Sequence, residues 1–173
     1  LTQDASSYVE NNNTIFSIVR FGNVIGSRGS VFQIFYNRLL NNLPISVTDS
    51  RMTRFIMSIS DAASMILKIS VIAQDGETYI LKMPSVKIEN LAKSMVEVFK
   101  KRTKQKNIPE IKISKVREYE RFYELLVTTD ETPFCSDLGN MYKLSKKQSK
   151  SRLSDTQFNS ETGKKISKIK LEK

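Results

Sequence analysis

Apolar and polar positions along the chain alternate between two periods. Thr14 to Val19 (T-I-F-S-I-V) is a short β-branched run that suits a buried parallel strand, and the polar Asn11-Asn12-Asn13 before it closes what reads as the end of a helix over residues 1–10. From Val31 to Leu40 the apolar positions Val31, Ile34, Phe35 and Leu39 fall near helical spacing. Ser30 followed by Gln33 has the spacing of a capping box, which starts that helix at Ser30. Leu43 to Val47 reads as a small strand and Phe55 to Ile59 as a further apolar segment. Ser60-Asp61 then open a helix to about Ala73, with Ala62, Met65, Ile66 and Ile69 on one stripe. Asp75-Gly76 marks a turn before the strand Thr78 to Leu81. Ile88 to Lys100 is an amphipathic helix, with Ile88, Leu91, Ala92, Met95, Val98 and Phe99 on one face. Ile111 to Val116 alternates as a strand, and Glu118 to Val127 reads as helical. Strands interleaved with helices predict an α/β fold.

Charge divides the chain. The 173 residues carry a formal net charge of +10, but residues 143–173 hold ten Lys or Arg against three acids. The predicted organisation is therefore a folded part over 1–142 and a basic, at most partly ordered tail over 143–173. Such a tail suits a solvated terminus better than a nucleic-acid site, because the aromatics elsewhere read as buried.

The residue inventory excludes several chemistries. The chain has no histidine and one cysteine, Cys135. Imidazole metal sites, Ser-His-Asp catalysis, a Cys zinc cluster and an internal disulfide are all out. No apolar run reaches about eighteen residues and the first residues form no signal peptide, so the expected compartment is the cytoplasm with no membrane partner. Tyr8, Tyr36, Tyr79 and Tyr142 read as packing residues, Cys135 as a small inert one, and Asp61 and Asp137 show no acid–base pairing.

Candidate chemistry concentrates in the loop Gly26-Ser27-Arg28-Gly29-Ser30, which runs into a capped helix. Two glycines, hydroxyls, a helix amino terminus and the Arg28 guanidinium suit a phosphate. The same features also suit a structural turn. Arg54 before an apolar segment is an anion ligand or a paired charge. Arg117 and Glu120 have the spacing of a local ion pair.

Together these stretches resemble a known family. Phe16 to Val31 (F-S-I-V-R-F-G-N-V-I-G-S-R-G-S-V) is similar to the R-Y-G-N-V-x-G-S-R-G-S-V signature of UDP-N-acetylglucosamine 4,6-dehydratases, extended short-chain dehydrogenase/reductases of surface-polysaccharide synthesis. Val47 to Phe55 (V-T-D-S-R-M-T-R-F) resembles their V-T-D-x-x-M-T-R-F, and Val86 to Ala92 their K-I-x-D-L-A helix start. Tyr123-Glu124-Leu125-Leu126 resembles the end of R-x-G-E-K-x-Y-E-x-L. Ser136 to Tyr142 is similar to the D-L-G-x-x-Y of the subgroup that adds 5-epimerisation in capsule and O-antigen synthesis.

The resemblance implies the carboxyl-terminal portion of that fold, the end of a Rossmann-type sheet plus a small α/β substrate-binding domain. It implies a UDP-N-acetylhexosamine or UDP-hexose ligand held by Asn23, Ser27, Arg28, Ser30, Val31, Arg54, Arg117 and Glu120. Arg54 and Arg117 would hold phosphate, and Arg20, Gly22 and Asn23 would stand near an NAD(P) cofactor. The family's glycine-rich dinucleotide loop and Tyr-x-x-x-Lys pair do not occur here. NAD(P) would thus rest mainly on an amino-terminal half, no metal is expected, and this chain alone is expected to catalyse nothing. A homo-oligomer or a complementing amino-terminal half would be the protein partner, and a UDP-hexose 4-epimerase is the near alternative. A remnant without function is the distant one. Two departures stand out: Glu118 and Tyr119 replace the family's Pro or His and Gly, and Tyr119 lacks the freedom glycine has at positive φ. The strand at 14–19 would also leave an exposed apolar edge if the rest of its sheet is not present.

Overall fold

The computed structural model describes residues 14–104, 108–114, 118–149 and 157–166. The helix expected over residues 1–10, Tyr8 and Arg117 lie outside them. The chain divides into two compact bodies: Leu1–Phe21, Ser60–Met83 and Leu125–Asn159 form the first, and Gly22–Ile59, Pro84–Glu124 and Ser160–Lys173 the second.

In the first body, β1 (Ile18–Arg20) pairs in parallel with β5 (Thr78–Leu81), and α2 (Ile59–Ile72) makes the crossover between them. β5 then pairs antiparallel with β10 (Met141–Leu144), and β10 with β9 (Cys135–Asp137), giving the order β1-β5-β10-β9. α2 covers this sheet with Met65 and Ile69, which pack with Tyr79 and Met141. A second cluster joins Ile80, Val127, Cys135 and Leu144. The parallel strand expected at 14–19 is present as the shorter β1, half-buried and with β5 as its one partner among the described strands. Apolar surface stays open here: Ile15 is 58% exposed, and Leu67 and Val71 on α2 are 70% and 85% exposed. No described helix is long and apolar enough to cross a membrane.

The second body is built on β2 (Asn23–Val24), β4 (Thr53–Met57) and β6 (Ser85–Lys87), in the order β2-β4-β6. β3 (Ile45–Val47) and β7 (Ile111–Ile113) form a separate parallel pair. α1 (Val31–Leu40) and α3 (Ile88–Thr103) enclose the core, which includes Phe35, Leu39, Ile45, Met52, Leu91 and Phe99. α1 buries Phe35 and Leu39 of its expected stripe but leaves Ile34 50% exposed, and α3 buries Ile88, Leu91, Ala92, Met95 and Phe99, with Val96 rather than Val98 packed on the core. Ser30 caps α1 by accepting the Gln33 N–H at 3.4 Å, as its spacing predicted.

One element is corrected. Residues 118–127 do not form a helix. Glu118 and Tyr119 form a turn and Leu125–Val127 is strand β8, paired with β11 (Phe158–Asn159). The aromatic spacing that suggested a helix belongs to exposed side chains, with Tyr119 95% exposed. A short helix without a face to bury has little to hold it. β11 lies in the stretch read as a tail, and Asn159 and Ser160 beside it are buried.

Candidate functional site

Three stretches far apart in sequence meet in the second body: the turn from Gly22 to Ser30, the strand β4 with its approach, and the segment 118–124. The organiser is the side of β4 that carries the N–H groups of Thr53 and Phe55, at alternate positions along the strand. Thr53 N–H donates to Phe122 O at 2.8 Å, and Phe55 N–H donates to the Glu124 carboxylate at 2.9 Å. A side-chain carboxylate here does what the carbonyl of a neighbouring strand would do.

Arg54 closes the arrangement. Its Nη1 donates to Thr53 O at 2.8 Å and Phe122 O at 3.3 Å, and its Nη2 to Arg121 O at 2.8 Å. These bonds use three of the five guanidinium hydrogens. The Nε hydrogen and one Nη2 hydrogen have no partner among the described residues. Its hydrogen-bond partners here are backbone carbonyls and not a carboxylate. Glu120 accepts from Thr48 Oγ1 at 2.9 Å, which ties the same segment to the approach to β4.

Asn23 opens the turn. Its Nδ2 donates to Glu124 Oε1 at 2.7 Å and to Phe55 O at 3.3 Å. Gly22 is required just before it for space alone: a Cβ there would stand 2.5 Å from Phe55 Cβ, 2.9 Å from Phe55 O and 3.1 Å from Glu124 Oε2. Gly26 and Gly29 have φ near +81° and +78°, so the loop uses both for left-handed backbone. Ser27 Oγ donates to Val24 O at 2.8 Å. Arg28 is exposed with no bond to any described residue, Ser30 holds α1 through its Oγ, and Val31 is α1's first residue.

Glu124 is the residue that sequence reasoning quoted within a motif and gave no role. Burial pushes its carboxyl above the ordinary value, against bonds from Phe55 N–H and Asn23 and the charge of Arg54. The only sequence signal for it was its place in the Y-E-x-L stretch.

Arg20 belongs to the first body, where it serves the fold. Its guanidinium meets both oxygens of Glu131, at 2.8 and 2.9 Å, and donates to Leu126 O at 3.1 Å. Cys135 is fully buried, and that burial pushes its thiol up to about 11, which leaves no thiolate near neutrality. Tyr79 is buried, with its hydroxyl on Glu77. Tyr142 packs edge-on to Phe158, and Tyr36 is 43% exposed on α1. Among the described residues no group of His, Cys, Asp or Glu could hold a metal ion.

A cleft of about 220 Å³ lies beside the Arg54 segment, lined by Arg51, Thr53, Phe122, Tyr123 and Glu161. The Arg51 guanidinium stacks 4.7 Å from the Phe122 ring centre in its wall. A larger cleft of about 310 Å³ runs along α3 past Lys87, Lys93, Ser94 and Lys165 and holds none of the candidates.

A family described as polysaccharide biosynthesis protein matches residues 1–146. The chain is 41% identical over 123 residues to the capsular polysaccharide biosynthesis protein CapD of Staphylococcus aureus, covering 70% of this chain and 20% of that protein. It is 35% identical over 131 residues to a UDP-glucose 4-epimerase of Rickettsia bellii, covering 76% and 37%. An uncharacterized membrane protein of Methanocaldococcus jannaschii is 40% identical over 144 residues, covering 82% and 43%. The chain thus spans less than half the length of these relatives. Among solved structures, Pen from Bacillus thuringiensis superposes with a TM-score of 0.89 at 34% identity, over 99% of this chain and 52% of that one. The chain belongs to the polysaccharide biosynthesis protein family, with the α/β fold of an extended short-chain dehydrogenase/reductase carboxyl-terminal part that its motifs resemble.

Proposed function

We propose that the second body binds the nucleoside diphosphate part of a UDP-sugar, as the carboxyl-terminal part of a nucleotide-sugar 4,6-dehydratase of surface-polysaccharide synthesis. The observation that carries this is the Arg54 clasp. A guanidinium is pinned by three backbone carbonyls with two of its hydrogens left over among the described residues. Pinning removes most of the rotamer entropy that an arginine loses on gripping a phosphate. Ser27 and Ser30, bonded within the loop, shape it, and Glu120 holds the facing segment to Thr48. Arg117 would add a second cation to the same ligand.

The residues that the resemblance sets near the cofactor already have partners within the chain. The Arg20 guanidinium is taken by Glu131 and Leu126, Gly22 packs on Phe55, and the Asn23 amide hydrogens are taken by Glu124 and Phe55. NAD(P) chemistry is therefore assigned to an amino-terminal half, and this chain binds and orients. The kinship with a UDP-glucose 4-epimerase supports epimerisation as the second reading of the parent activity, with the same ligand class.

Calorimetric titration of UDP into the 173-residue chain tests the proposal beside Arg54→Ala. Expected is measurable binding that Arg54→Ala weakens by about 1.5 kcal/mol or more, the worth of a charge-assisted hydrogen bond. A folded chain that takes up no UDP contradicts it.

A further inference from the structure

The bonds around Asn23 decide which face of its carboxamide a ligand can meet. Glu124 is fixed before it touches Asn23. Its N–H donates to Ser160 Oγ at 2.9 Å, its carbonyl accepts Ser160 N–H at 2.9 Å, and one carboxylate oxygen accepts Phe55 N–H. Ser160 Oγ in turn donates to Thr53 O at 2.9 Å. The second carboxylate oxygen faces Asn23 at 2.7 Å, and Phe55 O faces the same atom at 3.3 Å.

Both neighbours are acceptors. The Phe55 carbonyl offers no proton, and Glu124 is held as an acceptor by Phe55 N–H, so the atom between them is the amide nitrogen. Turning the carboxamide over would set two oxygens 2.7 Å apart with nothing between. The orientation follows from the chemistry of the partners and not from the fit of one atom over another. Both Nδ2 hydrogens are then in use, and Oδ1, which has no partner among the described residues, is the atom left over.

We propose that Glu124 is a positioning residue that locks Asn23 with Oδ1 outward, so that Asn23 accepts a hydrogen bond from a ligand hydroxyl or N–H and does not grip a phosphate oxygen. Within the UDP-sugar reading, on which this rests, the phosphates fall to Arg54 and Arg28, and Asn23 selects a ligand with a donor at that point. A uracil N–H, a ribose or sugar hydroxyl and an acetamido N–H all have that chemistry.

The lock makes Glu124→Gln an inversion and not a deletion. The new side chain has nearly the same shape, but only its oxygen can accept Phe55 N–H. Its NH2 then points at Asn23 Nδ2, donor against donor, and Asn23 relieves this by turning over. The outward atom changes from acceptor to donor.

Two measurements on the 173-residue chain test the inference separately from the substrate. The first uses NMR of chains carrying asparagine labelled with 15N at Nδ2, with the Asn23 signal assigned by its loss in Asn23→Ala. Slow hydrogen exchange at Asn23 in the wild type and fast exchange in Glu124→Gln support the lock; fast exchange in both overturns it. The second is a binding cycle with UDP-N-acetylglucosamine over wild type, Glu124→Gln, Asn23→Ala and the double variant. Glu124→Gln should weaken binding roughly tenfold and have no effect once Asn23 is alanine. An equal loss in both backgrounds would make Glu124 a general structural support and refute the proposal. A wild-type chain that is protected at Asn23 yet binds no UDP-sugar keeps the lock and removes the substrate reading beneath it.

Discussion

The two bodies differ in how they hold particular polar groups, although both contain ion pairs. In the first, Arg20, Lys143 and Lys82 each meet a carboxylate. Arg20 sits on Glu131, Lys143 on the buried Glu77 at 2.8 Å, and Lys82 on Asp137 at 2.6 Å. In the second, Arg54 donates only to carbonyls, and Arg28 and the Asn23 Oδ1 have no partner among the described residues. Evenly matched charges serve a scaffold. Polar groups that the protein aims and then leaves incomplete are what a ligand site consists of, because the ligand supplies the missing partners.

Breaking the matched side should have the largest effect. Glu77→Ala leaves the Lys143 ammonium without its carboxylate and the buried Tyr79 hydroxyl with only the long bond to Ile72 O at 3.4 Å. We expect a loss of about 3 kcal/mol in urea unfolding, near the upper end for an unpaired buried group, with UDP affinity unchanged in the remaining folded chain.

Acid sharpens the same contrast. Burial pushes the Glu77 carboxyl up, but its bonds from Lys143, Tyr79 and Gln74 N–H outweigh this and hold it below its ordinary 4.5. Glu131 behaves likewise through Arg20 and Thr128. A depressed carboxyl contributes stability above its unfolded value and loses it as pH falls through the folded one. Glu124 has the opposite sign. Its raised carboxyl favours folding most below 4.5, and that contribution is gone once pH rises through the folded value. Urea midpoints measured from pH 7 downward should therefore fall below about 4.5 more steeply in the wild type than in Glu77→Ala. Glu124→Gln should remove the gain that the wild type makes as pH falls toward 4.5, because that gain comes from the raised Glu124 carboxyl.

A middle-sized effect separates two glycines of the second body. Gly22→Ala drives a Cβ into Phe55 and should cost about 2 kcal/mol as overpacking. Gly29 has nothing within 4 Å and only its φ of +78°, so Gly29→Ala should cost about 1 kcal/mol. Thermal melting of the two variants decides, and equal losses would mean that Gly22 does not pack as described.

Tyr119→Gly should have the smallest effect, and it is a gain. Tyr119 sits at φ +76° with 95% of its surface exposed. Glycine adopts that backbone without the clash, and the chain should gain about 0.5–1 kcal/mol in melting. The sequence had marked this position as one where a glycine was missing from the pattern it resembles. The turn formed regardless, and tyrosine bears the strain.

Much of the scaffold was legible because it is local. Ser30 with Gln33, the stripes of α1, α2 and α3, and the strand at 78–81 are written within a few residues of each other, where periodicity and capping chemistry act. The segment 118–127 was misread for the complementary reason. Its spacing is helical, yet its partners are Phe158 and Asn159 on one side and β4 on the other, and no local rule reports those. The candidate site divides the same way. The loop 26–30 and Arg54 could be picked out as residue types suited to a phosphate. Their partners could not, since Arg54 reaches carbonyls 67 and 68 residues away and Asn23 meets Glu124 across 101. The sequence by itself determined the α/β class, the family and the cationic loop, because each is set by residue type and short-range order. Only the tertiary structure decided which hydrogens of Arg54 stay available and which face of Asn23 is offered. A hydrogen bond is decided by what stands within about 3 Å in space, and the chain brings those atoms together only when it folds.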